Sequence, residues 1–347
     1  AFFRLLADGY VYAGKPDATK NEDMTWPVAM VQREEHDGTR QYIIEGEEIH
    51  IVGENIDKRI PREDFDTVAN LILEAVKQSK EMDVTSPDGV EEFLDEVAIF
   101  DLEAKTDDRT DFYVAFYNVH TPLVGFCVRS KLSPMFPLLD GGRTANFKFE
   151  QTGVKFAGPT VNKINFFGEE DDVTGRMLMI ERLGGILKFN DAADKVFRSN
   201  LHMIDLHFPR VLGEMCRTMH LEGITRVNEL TEYIKAVNPL KIKDELILKH
   251  HYYEHKMKEF LLALALGMRP AKLYTGVDSA VAGFLLVDGS GEVVCYQKAD
   301  RQTFADFLYN NTRLEKGPTA KDKYGYLEKE NGVQYFKLNL KIGLAKR

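Results

Sequence analysis

Apolar and polar positions divide the chain into short strands and longer helices. Val28-Ala-Met-Val-Gln32, Gln41-Tyr-Ile-Ile-Glu45 and the alternating Glu48-Ile-His-Ile-Val52 read as strands, with tight turns at Asp37-Gly38 and Gly46. After Pro61, Phe65, Val68, Ala69, Ile72, Ala75 and Val76 recur at helical spacing through about Lys80. Ser86-Pro87-Asp88 resembles a helix cap and opens a helix to about Phe100. The middle of the chain changes character. Asp111-Phe-Tyr-Val-Ala-Phe-Tyr117 is rich in aromatic and β-branched residues, as strands are, and Leu123-Val-Gly-Phe-Cys-Val-Arg129 and Thr144-Ala-Asn-Phe-Lys-Phe-Glu150 follow it. Helical stretches then cover about 173–184, 198–220, 227–237 and 243–267, before strands return at 281–287, 292–296 and 335–340. The fold class is α+β, and no repeat or low-complexity segment interrupts it.

At 347 residues, about two domains are expected. The reading is an N-terminal α+β domain over 1–100, then 101–347 as the core, with a helical insert at about 173–267 and C-terminal strands. With 44% apolar and 29% charged residues, a disordered or collagen-like chain is excluded. The longest apolar run, Phe260-Leu-Leu-Ala-Leu-Ala-Leu-Gly-Met268, is too short to span a bilayer, and no basic leader with a long apolar core opens the chain. Cys127, Cys216 and Cys295 are odd in number and widely spaced, which argues against a disulfide framework or zinc ribbon and for a reducing cytoplasm. The net charge of −10 points away from a simple nucleic-acid binder, but it is unevenly spread. Residues 1–110 hold 27 acids and 12 bases, residues 111–312 hold 24 of each, and residues 313–347 hold 4 acids and 9 bases. The sign of the whole chain therefore decides nothing about its partner.

The strand pair at 111–131 is the first candidate for chemistry. A carboxylate at a strand start, Asp111, can hold Mg²⁺, and Asp107 and Asp108 in the preceding turn can add oxygen ligands. Strand alternation puts Cys127, Arg129 and Lys131 on one face of the next strand, where a cation can position water or stabilise developing charge. That is an arrangement for metal-dependent phosphodiester cleavage. Ordinary hairpins also begin with Asp and end with Lys or Arg for solubility, so spacing alone leaves both readings open.

Three further features could carry chemistry of their own. His251-Tyr-Tyr-Glu-His255 matches the H-x-x-E-H pattern of zinc peptidases, set among Lys249, His250, Lys256 and Lys258, as a solvated basic face would be. Leu139-Asp-Gly-Gly-Arg-Thr144 is too short for a Walker loop; it can bring Arg143 close to a phosphate backbone or serve as a plain turn. Near the C-terminus, Lys316, Lys321, Lys323, Lys329, Lys337 and Lys341 interleave with Tyr324, Tyr326, Tyr335 and Phe336, which suits either a nucleic-acid surface or a lysine-protected strand edge.

Several blocks in order carry a more specific signal. Val124-Gly-Phe-Cys-Val-Arg-Ser-Lys-Leu132, then Leu138-Leu-Asp-Gly-Gly-Arg-Thr-Ala-Asn-Phe147, resembles the HpaII-type restriction endonuclease family, whose pattern runs roughly G-F-S-I-K-S-x-L-G, then T-L-L-N-A-S-x-x-T-N-F. Phe3-Arg-Leu-Leu-Ala-Asp-Gly-Tyr-Val-Tyr12 matches the start of the family, and Ala265-Leu-Gly-Met-Arg-Pro270, Gly291-Glu-Val-Val-Cys-Tyr296, Tyr309-Asn-Asn-Thr-Arg-Leu-Glu315 and the stretch from Lys329 to Leu340 match its end.

The resemblance implies a type II restriction endonuclease of a bacterial or archaeal cytoplasm, part of a restriction-modification system. It would have a PD-(D/E)xK-like nuclease core, a mixed sheet flanked by helices, and would cut double-stranded DNA with Mg²⁺, with CCGG as the expected site and a homodimer as an open possibility. Asp111 matches the metal-binding Asp, with Asp108 as a second ligand. Cys127 stands where the family has Ser, and Arg129 where it has the catalytic Lys. Arg does not release a proton near neutral pH and is not interchangeable with an ammonium. Three readings follow: Arg129 acts by charge alone, Lys131 takes over, or the protein binds DNA without cutting it. Ser130, Arg143, Thr144 and Asn146 are the expected DNA contacts, since Arg and Asn are standard readers of guanine and adenine.

Overall fold

The computed structural model describes residues 1–79, 85–101, 110–117, 123–132, 137–277 and 281–344. They fall into two compact units. Unit one takes its residues from 1–136 and 278–307, and unit two takes its residues from 137–277 and 308–345. The division expected near residue 100 falls inside unit one, because the strands after it pair with those before it.

In unit one, helix α1 (Phe2–Asp8) is followed by β1 (Tyr10–Gly14), β2 (Lys20–Glu35), β3 (Gly38–Glu45), β4 (Glu48–Gly53), β5 (Ile56–Pro61), α2 (Arg62–Gln78), α3 (Val90–Glu96), β6 (Phe112–Phe116) and β7 (Val124–Ser130). The strands Val281–Val287 and Val293–Gln297 complete its sheet. The order is β1, Val293–Gln297, Val281–Val287, β7, β6, β2, β3, β4, β5. Because β1 also pairs with β2, six of these strands close into a barrel, and β3 to β5 extend from it. β2 can serve both because it is long: its first half pairs with β1 and its second with β3 and β6, across an irregularity between Val28 and Met30.

Alternation decides which face is covered. Val31, Tyr42, Ile49, Ile51, Phe112, Val114 and Phe126 are buried in one cluster with Leu5 and Leu6 of α1 and Phe65 and Val68 of α2. α2 starts after Pro61, carries Glu63 and Asp64 in its first turn as the helix dipole favours, and turns its Phe65–Val68 stripe to the sheet. Glu35, itself buried, accepts from the backbone N–H groups of Phe100 and Asp101 (3.0 and 2.7 Å) and pairs with Arg33, so the chain leaving α3 is tied to the β2–β3 hairpin.

Unit two holds a four-stranded antiparallel sheet in the order Gly185–Ala192, Asn146–Gly153, Val333–Asn339, Leu327–Glu330, and a small sheet of Thr312–Leu314, Ile342–Leu344 and Pro137–Leu139. Helix Phe208–Glu222 lies against the larger sheet; in its interior Gly213 approaches the Phe189 ring so closely that any side chain there would overlap it. The helix expected over 227–237 is found with those bounds. The stretch expected as one helix at 198–220 is two, Lys195–His202 and Phe208–Glu222, with Pro209 admitted only in the first turn of the second. The stretch at 243–267 also divides, into Glu245–Lys249 and Tyr252–Ala265, because Asp244 caps the first piece and His250 is extended.

Candidate active site

β6 and β7 pair antiparallel, with Phe112 opposite Phe126 and Val114 opposite Val124. Asp111 sits one residue before β6, and the ladder continues through it: its N–H donates to the Phe126 carbonyl (2.9 Å) and its Oδ2 accepts from the Val128 N–H (2.6 Å). One carboxylate oxygen is thus fixed by the neighbouring strand. Since Phe112, Val114 and Phe126 face the cluster under the helices, Asp111, Cys127 and Arg129 share the opposite face. The Cys127 thiol is within hydrogen-bonding reach of Arg129. The Arg129 guanidinium also donates to the Val128 carbonyl (2.9 Å) and lies 5.0 Å from the centre of the Phe284 ring. Burial lowers its pKa, and the neighbouring Cys127 and Asp111 oppose that shift. The structure therefore brings three of the expected residues together.

The remaining expected residues lie elsewhere. Lys131 is turned to the Ala18 carbonyl, in the loop between β1 and β2. Ser130 Oγ accepts from the Leu132 N–H and closes the turn after β7. Asp107 and Asp108 lie outside the described residues. Among the described residues no three His, Cys, Asp or Glu side chains gather around one point. What they offer a hard cation is the Asp111 carboxylate; the Cys127 sulfur is too soft a donor to count. One or two carboxylates with waters and substrate phosphates are enough for Mg²⁺, so Asp111 fits that minimum.

In unit two, Gly141 and Gly142 take left-handed conformations (φ 65° and 77°), which glycine adopts freely, and lead into a short 3₁₀ turn, Arg143–Ala145. Arg143 is exposed and engages only its Nε, with the Lys321 carbonyl at 3.3 Å; among the described residues its two terminal nitrogens have no partner. Thr144 is half-buried beside it. Asn146 is buried: its Nδ2 donates to the Asp322 and Lys323 carbonyls (2.9 and 3.2 Å), and its Oδ1 accepts from Asn339 (2.7 Å), whose Nδ2 also donates to the Gly142 carbonyl. Its amide is committed to holding this turn, not presented to a ligand.

The H-x-x-E-H run and two of the C-terminal lysines find structural explanations. His251 is the N-cap of Tyr252–Ala265, outside the helix, and Glu254 is shared between His251 (3.2 Å) and Lys258, so the two histidines do not form one metal-binding helix face. Near the C-terminus, Tyr324 and Phe336 belong to the core, Lys337 pairs with Glu328 and Glu330, and Lys341 pairs with Asp140. Periodicity missed that Asn146 is an inward position, a difference that only its cross-strand partner reveals.

The model of the HpaII restriction endonuclease family matches residues 1–344. The chain belongs to the HpaII restriction endonuclease family. It is 28% identical over 347 residues to the type II restriction enzyme HpaII of Haemophilus parainfluenzae, covering 99% of this chain and 95% of that protein. No solved structure matches the chain. As a member of this family it is a type II site-specific deoxyribonuclease, and its substrate is DNA. Type II restriction endonucleases generally use a divalent metal. No helix among the described residues is long and apolar enough to cross a membrane.

Proposed function

We propose that this HpaII-family member cuts double-stranded DNA at CCGG by Mg²⁺-dependent phosphodiester hydrolysis, with its centre at Asp111 and Arg129, on the face of β6 and β7 that also carries Cys127. The observation that carries this is Asp111: a carboxylate pinned by the Val128 N–H, next to the Arg129 guanidinium. The strand pattern supports a PD-(D/E)xK-like core, because β2, β6 and β7 run antiparallel and Val281–Val287 then lies parallel to β7.

A divalent metal held by Asp111, with Asp108 as its second ligand, and by substrate phosphate oxygens would polarise the phosphate and lower the pKa of the attacking water. Asp111 orients its free oxygen because the other is fixed. Arg129 keeps its proton and acts by charge, stabilising the phosphoryl oxygens as negative charge builds on them. Cys127 holds Arg129 in place. Lys131 positions the loop at Ala18. Arg143 meets a guanine edge through its two unengaged nitrogens, Thr144 and Ser130 contact the backbone, and Asn146 supports the turn beneath them. Two copies of the chain would match the two-fold symmetry of CCGG.

The test is digestion of unmethylated plasmid with Mg²⁺, repeated on CpG-methylated plasmid. Discrete fragments ending at CCGG, absent from the methylated sample, are expected. Fragments that map elsewhere overturn the site, and intact plasmid in both overturns the nuclease.

A further inference from the structure

In unit two the chain leaves the strand Pro137–Leu139 through Asp140, Gly141 and Gly142 and enters the 3₁₀ turn at Arg143. A remote segment, Asn339 to Lys341, holds this turn. The Asn339 amide donates to the Gly142 carbonyl (2.8 Å), the Leu340 N–H donates to the Ala145 carbonyl (3.0 Å), and the Lys341 ammonium pairs with Asp140 Oδ1 (3.2 Å). Gly141 seals the contact, since any side chain there would overlap the Asn339 Oδ1 atom. Gly142 instead faces open space. The backbone of the turn is thus fixed on one side and uncovered on the other.

The turn carries one acceptor and one donor fork. Asp140 exposes 73% of its side chain, whereas Lys341 exposes only 11%. The lysine therefore engages one carboxylate oxygen from below, and Oδ2 has no partner among the described residues. Three residues on, Arg143 is exposed, with both terminal nitrogens unengaged. Burial raises the pKa of the nearby Asp322 carboxylate, and the charges that act on it are those of Lys321, Asp140, Lys341 and Arg143, so these groups surround one spot. Three positive charges there face two negative ones, a balance that favours a polyanion.

We propose that Asp140 and Arg143 together read one G·C base pair in the major groove: Arg143 donates to guanine N7 and O6, and Asp140 Oδ2 accepts from the amino group of the paired cytosine. In that groove a G·C pair offers two acceptors and then a donor, and the turn offers two donors and an acceptor. An A·T pair sets its adenine amino group against Arg143 and its thymine O4 against Asp140, like against like, so the same two side chains reject the wrong pair. Lys321, exposed beside them, meets a phosphate. The proposal rests on the DNA-cleaving reading above and adds to it the acceptor for cytosine.

The test measures binding of the full chain, with Ca²⁺ replacing Mg²⁺, to a duplex carrying the site mapped by plasmid digestion. Each cytosine in turn is replaced by 2-pyrimidinone, which lacks the amino group, and each guanine by 7-deazaguanine, which lacks N7. At one base pair, and its symmetry mate in a palindromic site, replacing either member should weaken binding about tenfold. Asp140→Ala should lose the sensitivity at that cytosine and keep it at the paired guanine; Arg143→Ala should do the converse. If stranding Lys341 prevents Asp140→Ala from folding, judged by circular dichroism, the double variant Asp140→Ala with Lys341→Met removes both charges and decides. An Asp140→Ala chain that keeps the full loss at every cytosine makes Asp140 a support of the turn and overturns the proposal. A cytosine coupled to Asp140 that is not paired with the guanine coupled to Arg143 also overturns it. Both results leave the nuclease reading standing. Plasmid left intact, with no binding to a CCGG duplex, overturns both.

Discussion

In unit one, Asp111 and Arg129 are half-buried and engaged by the strands that carry them; in unit two, Arg143 stands exposed on a turn whose shape is set by a different residue, Asn146. The first region orients charge by fixing the charged groups themselves. The second fixes the backbone beneath the charged group and leaves the guanidinium free to adjust. The roles proposed for them, hydrolysis at one phosphorus and recognition of a base edge, call for that division: catalytic charge must not reorganise during the reaction, whereas a recognition side chain forms its bonds on arrival.

The contrast can be broken by substitution. Asp111→Asn keeps an acceptor for the Val128 N–H but removes the charge; plasmid cleavage should fall about 10³-fold, with little change in thermal stability. A loss that appears only in Asp111→Ala would make Asp111 structural. Arg129→Ala should lower the single-turnover rate about 10²-fold, Arg129→Lys should recover most of it, and Lys131→Ala should cost less than about tenfold. The reverse ranking of the two alanine variants would move the acting cation to Lys131. In unit two the effects should separate differently. Asn146→Ala strands three hydrogen-bonding groups and should reduce stability by about 2–3 kcal/mol in urea unfolding, taking DNA binding down with it. Arg143→Ala should leave stability unchanged and weaken specific binding by about 1–3 kcal/mol at fixed salt. Equal stability losses would erase the distinction between presenter and support.

The smallest effect near neutral pH concerns His220, buried in unit two beside Tyr324, with neither ring nitrogen partnered among the described residues. Burial lowers its pKa from 6.5 to about 4. The unfolded chain therefore takes up a proton that the folded chain refuses, so stability falls as pH drops below 6.5 and the loss is complete near pH 4. His220→Phe should flatten the dependence of the urea midpoint on pH across that window; an unchanged slope would show that other groups cause it.

Local pattern made the β6–β7 pair legible, because Asp111 at a strand start and alternate positions on the next strand are facts of short range. The H-x-x-E-H run misled for the same reason: a motif carries no information about where the helix begins, and His250 is extended immediately before it. The barrel was hidden because its closing contacts are remote. Tyr12 and Ala13 pair with Val294 and Cys295, and Lys20 with Glu292, and no window along the chain contains both partners. The boundary expected near residue 100 followed the end of a helical stretch and the change to aromatic-rich strands at 111, while strand pairing runs across it. Within 139–147, composition marked a turn but could not separate Arg143 from Asn146.

β7 depends on Val281–Val287 for one of its edges, and β1 on Val293–Gln297. During translation, the 137–277 part of unit two leaves the ribosome before those partners do. A partly made chain therefore carries Asp111 and Arg129 on an unfinished barrel with exposed edges. With the centre proposed at Asp111 and Arg129, cutting would have to wait until residue 297 has emerged and the barrel can close.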